Sequence, residues 1–497
     1  MKLYLHGHEY KYAVEQMLLT MFPAERPEYP DGKPEGDRLE ISLSRTAQRT
    51  TACCTLHLNG GTYTGRAQCA NTAMTDALRT DRVCQRLIKN AIYRSALRSG
   101  CPRPAWGALT GVRPGKVLSS LIAEEHDEDK ALRRFIDEYD VSPARAQLCM
   151  TTTRETLRAA ASLSPADVCL YVGIPFCPTR CAYCSFVSQS VEKSMKLIPP
   201  FLEALEKEIA ATAEQVNALG LRVVSVYMGG GTPTTLSAEQ LDRLCTVLED
   251  DFDLSALREY TVEAGRPDTI SVDKLRVLRA HGVDRVSVNP QTMSDRVLEL
   301  IGRRHTAADI ERALRLVREV GGFAVNMDLI AGLPGDSVDG FRDTVEKVLT
   351  LGAENITVHT LSLKKGSRIT LEEVPIPGAD EVSAMLDFAG DRLSAAGYAP
   401  YYLYRQKFMS GGFENVGWAK ADQVNLYNIC IMEELCSIIA MGGGGSTKLI
   451  RPDDGRNIRI MAPKYPLEYI NGIDNTCAEK AKILEFYNDF YKNSEQK

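Results

Sequence analysis

The chain has 497 residues, of which 44% are hydrophobic and 25% charged, proportions of a globular protein with length enough for two or three domains. A formal net charge of −6 excludes the Lys and Arg excess that marks a general nucleic-acid binder, and no apolar run reaches the roughly 18 residues of a membrane span. Fourteen cysteines, neither dense nor evenly spaced, and a polar start (Met1-Lys-Leu-Tyr-Leu-His6) predict a reducing, cytoplasmic setting and argue against a disulfide scaffold.

Between residues 39 and 63 apolar and polar residues alternate, and Asn59-Gly60-Gly61 supplies turn chemistry, which predicts a small antiparallel hairpin. Apolar residues three and four apart then predict helices over 79–98 and 130–162. Between them, residues 106–116 carry three internal glycines and a proline, the marks of a shaped loop, and on the residues alone a structural turn is the favoured reading. Together these segments form an expected α+β domain over 1–165.

From about 166 to 365 a strand-then-helix rhythm repeats six times. Short runs rich in Val, Ile and Thr at 169–174, 223–228, 260–263, 285–288, 324–330 and 355–361 read as strands. The stretches at 200–219, 238–250, 272–281, 307–320 and 338–351 read as helices. An open doubly wound sheet has the same rhythm, but its first strand should lead into G-x-G-x-x-G, and here it leads into cysteines. The preferred architecture is therefore α/β, a partial (β/α)6 barrel of the TIM type, with functional groups at the C-terminal ends of its strands. A Pro-rich link, Val374-Pro-Ile-Pro-Gly378, opens the third region, 366–497, which carries a helix at 381–396 and then irregular patterning. That region reads as an accessory or substrate-covering domain.

The first barrel strand runs into Cys177, Cys181 and Cys184, spaced C-x3-C-x2-C. Structural zinc calls for closed four-ligand coordination, usually from two paired knuckles, and no second knuckle follows. Three clustered thiolates instead suit an iron-sulfur cluster with one open iron. The next strand ends in Gly229-Gly-Gly-Thr-Pro-Thr234, where glycines let a ligand approach the backbone, and no Lys-Ser/Thr follows as in a P-loop. Glu263 follows the third strand, Gln291 the fourth, and Asp328 lies on the fifth. Each taken alone reads as a cap or loop contact, whereas their recurrence at successive strand ends is what a barrel active site requires.

On Tyr171 to Phe186, Gly229 to Thr234, Gly302-Arg-Arg-His-Thr306 and Asn326-Met-Asp-Leu-Ile-Ala-Gly-Leu-Pro-Gly335 the chain resembles the radical S-adenosylmethionine (SAM) superfamily. Within it, the chain resembles the oxygen-independent coproporphyrinogen III oxidases. The loop Leu109-Thr-Gly-Val-Arg-Pro114 and the stretch from Tyr404 to Trp418 point to the HemZ branch. The resemblance implies that Cys177, Cys181 and Cys184 hold a [4Fe-4S] cluster whose open iron chelates SAM, with Tyr171 beside it. It further implies that Gly230, Gly231 and Thr232 meet the methionyl end of SAM and that Glu263 and Gln291 meet its polar groups. Arg303 and Asp328 would reach its carboxylate and ribose region, and Ser362, where the oxidases have alanine, belongs to the same set.

The implied reaction converts two propionates of coproporphyrinogen III to vinyl groups with loss of carbon dioxide, giving protoporphyrinogen IX. Its partners would be the porphyrinogen and an electron donor that the sequence does not identify, with no nucleic acid and no membrane span. Four substrate carboxylates call for cations, for which Arg405, Lys407, Lys420 and Lys448 are candidates, solvated surface charge being as good a reading of any one of them. Arg113 is a further candidate in the N-terminal domain. The run Met441-Gly-Gly-Gly-Gly-Ser446 is expected to approach the site. Besides Ser362, three places depart from the oxidases: Gly173 replaces a histidine, Phe186 an additional cysteine, and Tyr427-Asn428 a Phe-Gln pair associated with a second SAM. Phenylalanine at the place of Phe186 is also the pattern of the haem chaperone branch, which makes haem binding an alternative function. A radical enzyme acting on another substrate is a third.

Overall fold

The computed structural model describes residues 1–184, 189–190, 194–363, 367–372, 374–406, 412–451 and 455–494, so Phe186 and Lys407 lie outside the described residues. The chain forms two compact units, Met1–Met150 and Thr151–Lys497. In the first, four strands lie in the order β1 (Lys2–His6), β2 (Arg38–Arg45), β3 (Arg49–Leu58) and β4 (Gly61–Ala70). β1 joins β2 in parallel, and β2, β3 and β4 pair antiparallel. The expected hairpin is thus the centre of a larger sheet. Asn59 (φ 50°) and Gly60 (φ 78°) turn β3 into β4, the doubly positive geometry of a type I′ turn. Alternation buries Leu39, Ile41, Ala52, Cys54 and Leu56 in one core with Leu18 of helix Lys11–Met21 and Ile88 of helix Ala77–Arg98.

The 106–116 segment turns with Trp106 buried, and helix Pro114–Glu125 follows with Pro114 in its first turn, where the missing N–H costs nothing. The expected helix at 130–162 is two helices, Glu128–Tyr139 and Pro143–Ala161. The break falls where Asp140 adopts φ 55° and Pro143 starts the next helix.

The second unit is organised by an eleven-stranded sheet. Its parallel part opens in chain order with β5 (Asp167–Ile174), followed, after the short pair β6 (Phe176–Cys177) and β7 (Gln189–Ser190), by β8 (Arg222–Gly230), β9 (Glu259–Val262), β10 (Arg285–Ser287), β11 (Ala324–Ala331) and β12 (Asn355–Thr360). β5, β8, β9, β10, β11 and β12 are successive parallel neighbours. Helices Ile198–Ala218, Ala238–Asp251, Val272–Ala280, Ala307–Val320 and Val338–Leu351 follow or connect them, which makes this the partial (β/α)6 barrel. Ser237, Ser271, Thr306 and Ser337 each accept a backbone N–H at a helix start, so four of these helices begin where a capping side chain satisfies an orphan donor. β5 is buried at seven of its eight positions, as a strand covered on both faces should be.

The last third of the chain continues this sheet on both margins. β13 (Ala399–Arg405) and β14 (Glu414–Ala419) extend it beyond β12, and β15 (Ser437–Gly442), β16 (Ser446–Ile450) and β17 (Asn457–Met461) extend it beyond β5. β14 runs antiparallel to β12, whereas β15 is parallel to β5. Irregular patterning over this stretch reflects strands of five to seven residues between short helices. No helix among the described residues is long and apolar enough to cross a membrane.

Candidate functional site

At the end of β5 the backbone leaves the sheet through Pro175 and reaches Cys177 on β6, and Cys181 and Cys184 follow in a turn closed by Cys184 N–H donating to Cys181 O at 3.2 Å. Two bonds tie this loop to the end of helix Asp295–Leu300: Ala182 N–H to Ile301 O (2.9 Å) and Thr179 Oγ1 to Gly302 O (3.3 Å). All three thiols are partly exposed. The Thr232 hydroxyl donates to Cys177 Sγ at 3.6 Å and Arg266 Nη1 to Cys181 Sγ at 3.7 Å. Arg303 hydrogen-bonds the same Cys181 sulfur, so two guanidinium groups lie beside one candidate ligand.

The glycine run after β8 holds that loop in place. Gly230 has φ 106°, and a Cβ on Gly231 would lie 2.4 Å from Phe176 O. The close approach permits Gly231 N–H to donate to Ile174 O (2.8 Å) and Thr232 N–H to Phe176 O (2.7 Å). Sequence reading expected these glycines to admit a ligand. Their tight contact is with the cysteine segment's own backbone.

Glu263 and Asp328 form the acidic part of the site. The Tyr227 hydroxyl donates to Glu263 Oε1 at 2.6 Å, and Asn326 Nδ2 donates to Asp328 Oδ1 at 2.8 Å. Burial pushes the Glu263 carboxyl up to about 7, the Tyr227 bond opposing and the charge of Asp328 adding to the rise. Burial acts upward on Asp328 too, but there it is outweighed by His359, whose Nε2 lies 3.8 Å from Oδ1, and by Asn326, so this carboxyl falls below its usual range. Two neighbouring carboxyl groups are thereby held in opposite senses.

Gln291 takes the left-handed conformation (φ 68°) and bridges to β11, donating its N–H to Asp328 O (2.8 Å) and accepting from Ile330 N–H (3.0 Å). Arg303 is buried, with Nη1 on Asn289 O (2.6 Å) and Nη2 on the Tyr183 hydroxyl (3.3 Å). Its Nε and the Ser362 hydroxyl are buried without a hydrogen-bond partner among the described residues. Such groups cost free energy unless a ligand or water satisfies them. Tyr227 and Tyr427 stack on each other at 4.3 Å, and the Tyr171 ring lies 6.3 Å from each of them.

The donor set tests what these thiols can hold. A single zinc with bonds of about 2.3 Å requires sulfurs roughly 3.8 Å apart. Cys177, Cys181 and Cys184 supply three partly exposed thiols from one loop with no fourth cysteine or histidine in it, the donor number of an iron-sulfur cluster with one open iron.

Sequence reading missed Tyr227, Arg266, Asn326 and His359. Arg266 could have been found, since it follows Gly265 in the loop after β9. His359 could not, because its approach to Asp328 depends on the β11–β12 register. Of the candidate cations, Arg405 donates to Gly412 O (2.7 Å), Lys420 donates to Gly352 O (2.9 Å) and Lys448 pairs with Glu434. Each therefore has a structural partner.

Three thiols on the loop after the first strand, with a glycine run, two carboxyls and an arginine around the following strand ends, define a radical-enzyme core on a partial barrel. Residues 171–348 match the radical SAM superfamily. An oxygen-independent coproporphyrinogen-III oxidase-like protein HemZ of Bacillus subtilis (strain 168) is 38% identical over 385 residues, covering 76% of this chain and 77% of its own. The chain belongs to the radical SAM superfamily and, within it, to the HemZ branch of the oxygen-independent coproporphyrinogen III oxidase family. Its cofactors are accordingly a [4Fe-4S] cluster and SAM.

A haem chaperone HemW of the same Bacillus subtilis strain is 32% identical over 253 residues, 49% of this chain and 64% of that protein. The oxygen-independent coproporphyrinogen III oxidase of Escherichia coli (strain K12) is 34% identical over 202 residues, 41% of this chain and 43% of that one. The solved coproporphyrinogen III oxidase HemN from Escherichia coli shares the fold, with a TM-score of 0.50 and 24% identity over 65% of this chain and 72% of its own.

Proposed function

We propose that the chain oxidatively decarboxylates two propionate side chains of coproporphyrinogen III to vinyl groups, yielding protoporphyrinogen IX. The observation that carries this reading is the pair of unpartnered buried groups, Arg303 Nε and the Ser362 hydroxyl, in a chain whose relative HemZ matches it over three quarters of its length. In this reading Cys177, Cys181 and Cys184 hold the cluster, with Tyr171 beside it. When bound, the cluster and SAM supply a carbon-centred radical that takes a hydrogen atom from the substrate.

The remaining work falls to the chain's own side chains. Gly230, Gly231 and Thr232 keep the cysteine loop against the barrel and present backbone groups to the methionyl end of SAM. Glu263, ionised above about pH 7, and Gln291 orient the polar groups of SAM, Glu263 attracting its ammonium. Arg303 offers a buried cation to the SAM carboxylate, and Asp328, kept ionised by His359 and Asn326, accepts from the ribose hydroxyls.

The test is an anaerobic assay of the reconstituted protein with coproporphyrinogen III, SAM and a chemical reductant. Release of carbon dioxide with formation of protoporphyrinogen IX is the expected result. An intact cluster that cleaves SAM without decarboxylation would overturn the reading, and stoichiometric haem binding by the same preparation would replace it with the chaperone function.

A further inference from the structure

Three cysteines that the radical site does not use meet in the core of the second unit. Cys169 is on β5, Cys430 is on helix Leu426–Glu433, and Cys436 immediately precedes β15. All three are buried, their sulfurs lie within 4.8 Å of one another, and the Cys169 and Cys436 sulfurs are 3.6 Å apart. Separate constraints place each thiol. The carboxylate of Glu259 accepts Leu426 N–H (2.8 Å) and Tyr427 N–H (2.7 Å), pinning the start of the helix that carries Cys430 one turn later. The parallel register Ile438↔Cys169 sets Cys436 beside the start of β5.

A cysteine used as a small hydrophobe needs only apolar neighbours, and Val224, Leu426 and Ile438 provide them. Convergence of three sulfurs, one from β5 and two from a segment far along the chain, is not required for that. It is what a thiophilic ion requires. Tetrahedral zinc places sulfurs roughly 3.8 Å apart, so the trio must contract by about 1 Å at most. The fourth position is left to a water or another small ligand, as in sites with three protein ligands.

An open cavity lies beside the apolar residues that surround the trio. Leu426 and Ala159, which pack in or against the cysteine cluster, also line a cavity of about 740 Å³ at the N-terminal ends of β9, β10 and β11, where Glu259 and Asp284 add carboxylates. That end of the barrel is opposite the strand ends that carry Glu263 and Asp328.

We propose that Cys169, Cys430 and Cys436 form a zinc(II) site, distinct from the cluster loop. Binding releases three thiol protons and forms three Zn–S bonds with no electron transferred, leaving one net negative charge. That is a smaller buried charge than the same thiolates would leave around a monovalent ion.

The test uses the full-length chain with its cluster reconstituted, stripped of loosely held metal with EDTA, incubated with zinc chloride and desalted before elemental analysis. About one zinc per chain beyond the cluster's iron is expected, falling at least tenfold in Cys430→Ser and persisting in Cys245→Ser, a buried cysteine of helix Ala238–Asp251. Zinc should also raise the melting temperature of the wild-type chain but not of Cys430→Ser. Because Cys430→Ser could fail to fold, the variant with Cys177, Cys181 and Cys184 all changed to Ala gives an independent reading. It should still bind one zinc and, with cobalt(II) instead, show thiolate-to-cobalt absorption. Loss of zinc in that triple variant, or equal zinc in wild type and a folded Cys430→Ser, would overturn the proposal.

Discussion

The Tyr227 hydroxyl and the Glu263 carboxylate are 2.6 Å apart, and the bond joins β8 to the residue that follows β9. Burial raises the Glu263 carboxyl from 4.5 to about 7 against the pull of that bond. A carboxyl whose native pKa exceeds its unfolded value binds protons better in the folded state. Its contribution is therefore complete below pH 4.5 and is lost as pH rises through about 7. Wild-type stability should decline across that window by on the order of 3 kcal/mol, and Glu263→Gln should flatten the decline. Urea titrations at several pH values, on both proteins without SAM, provide the measurement. A Glu263→Gln profile parallel to wild type would show that the carboxyl is not the titrating group.

Asp328 is held ionised, and the proposed function assigns it to the ribose region of SAM. Asp328→Asn preserves its shape and removes the charge. SAM affinity should fall roughly tenfold, the range of a charge-assisted hydrogen bond, while reconstituted iron stays at wild-type content. Equilibrium dialysis with labelled SAM and an iron assay on the same preparation separate the two. Loss of iron together with affinity would mean that Asp328 supports the cluster loop instead.

The barrel was legible in the sequence because each level of information agreed there. The helix starting at Ala307 follows a Thr306 cap, its apolar residues recur with helical spacing, and the flanking segments are β-branched. The site was legible where chemistry follows a strand directly, as at Cys177, Gly230 and Glu263. It was not legible where function depends on pairing between distant segments. His359 reads as one more strand residue until the register of β11 with β12 sets it beside Asp328, and Cys169, Cys430 and Cys436 look like scattered core residues until the chain folds. The C-terminal strands were obscured for a related reason: at five to seven residues each, they are too short for alternation to stand out.

Gly173 and Gly442 are partners in the parallel β5–β15 register, and this gives the glycine run after Met441 a packing role. Gly442 has φ 92°, and a Cβ there would lie 2.2 Å from Gly173 O. A Cβ on Gly173 would in turn lie 3.1 Å from Gly443 O, a tight contact that the neighbouring strand would have to yield to. Gly442→Ala combines backbone strain with a clash against main chain and should destabilise the second unit by about 2–4 kcal/mol. A melting temperature within a degree or two of wild type would show that β15 can move away from β5 at little cost.

Glu208 and Lys480 form an ion pair at 2.7 Å with both side chains almost fully buried. The other Glu208 oxygen accepts Gly442 N–H at 2.7 Å and the Tyr469 hydroxyl, and Lys480 Nζ also donates to Ala440 O at 2.7 Å. Helix Ile198–Ala218, the end of β15 and the C-terminal helices thus meet at one carboxylate. Removing only the cation strands a buried charge, so Lys480→Met should cost about 3–5 kcal/mol. Glu208→Gln strands the Lys480 cation in the same way and should also destabilise, although the amide oxygen can still accept from Gly442. Changing both residues to Met removes the charges together and should recover part of the Lys480→Met loss, a coupling measurable by a double-mutant cycle in urea. Additive losses would mean that the two side chains act separately. A positive coupling would place the stability of the β15–β5 pairing, and with it the strand that leads to Cys177, under the control of a contact with no part in the chemistry.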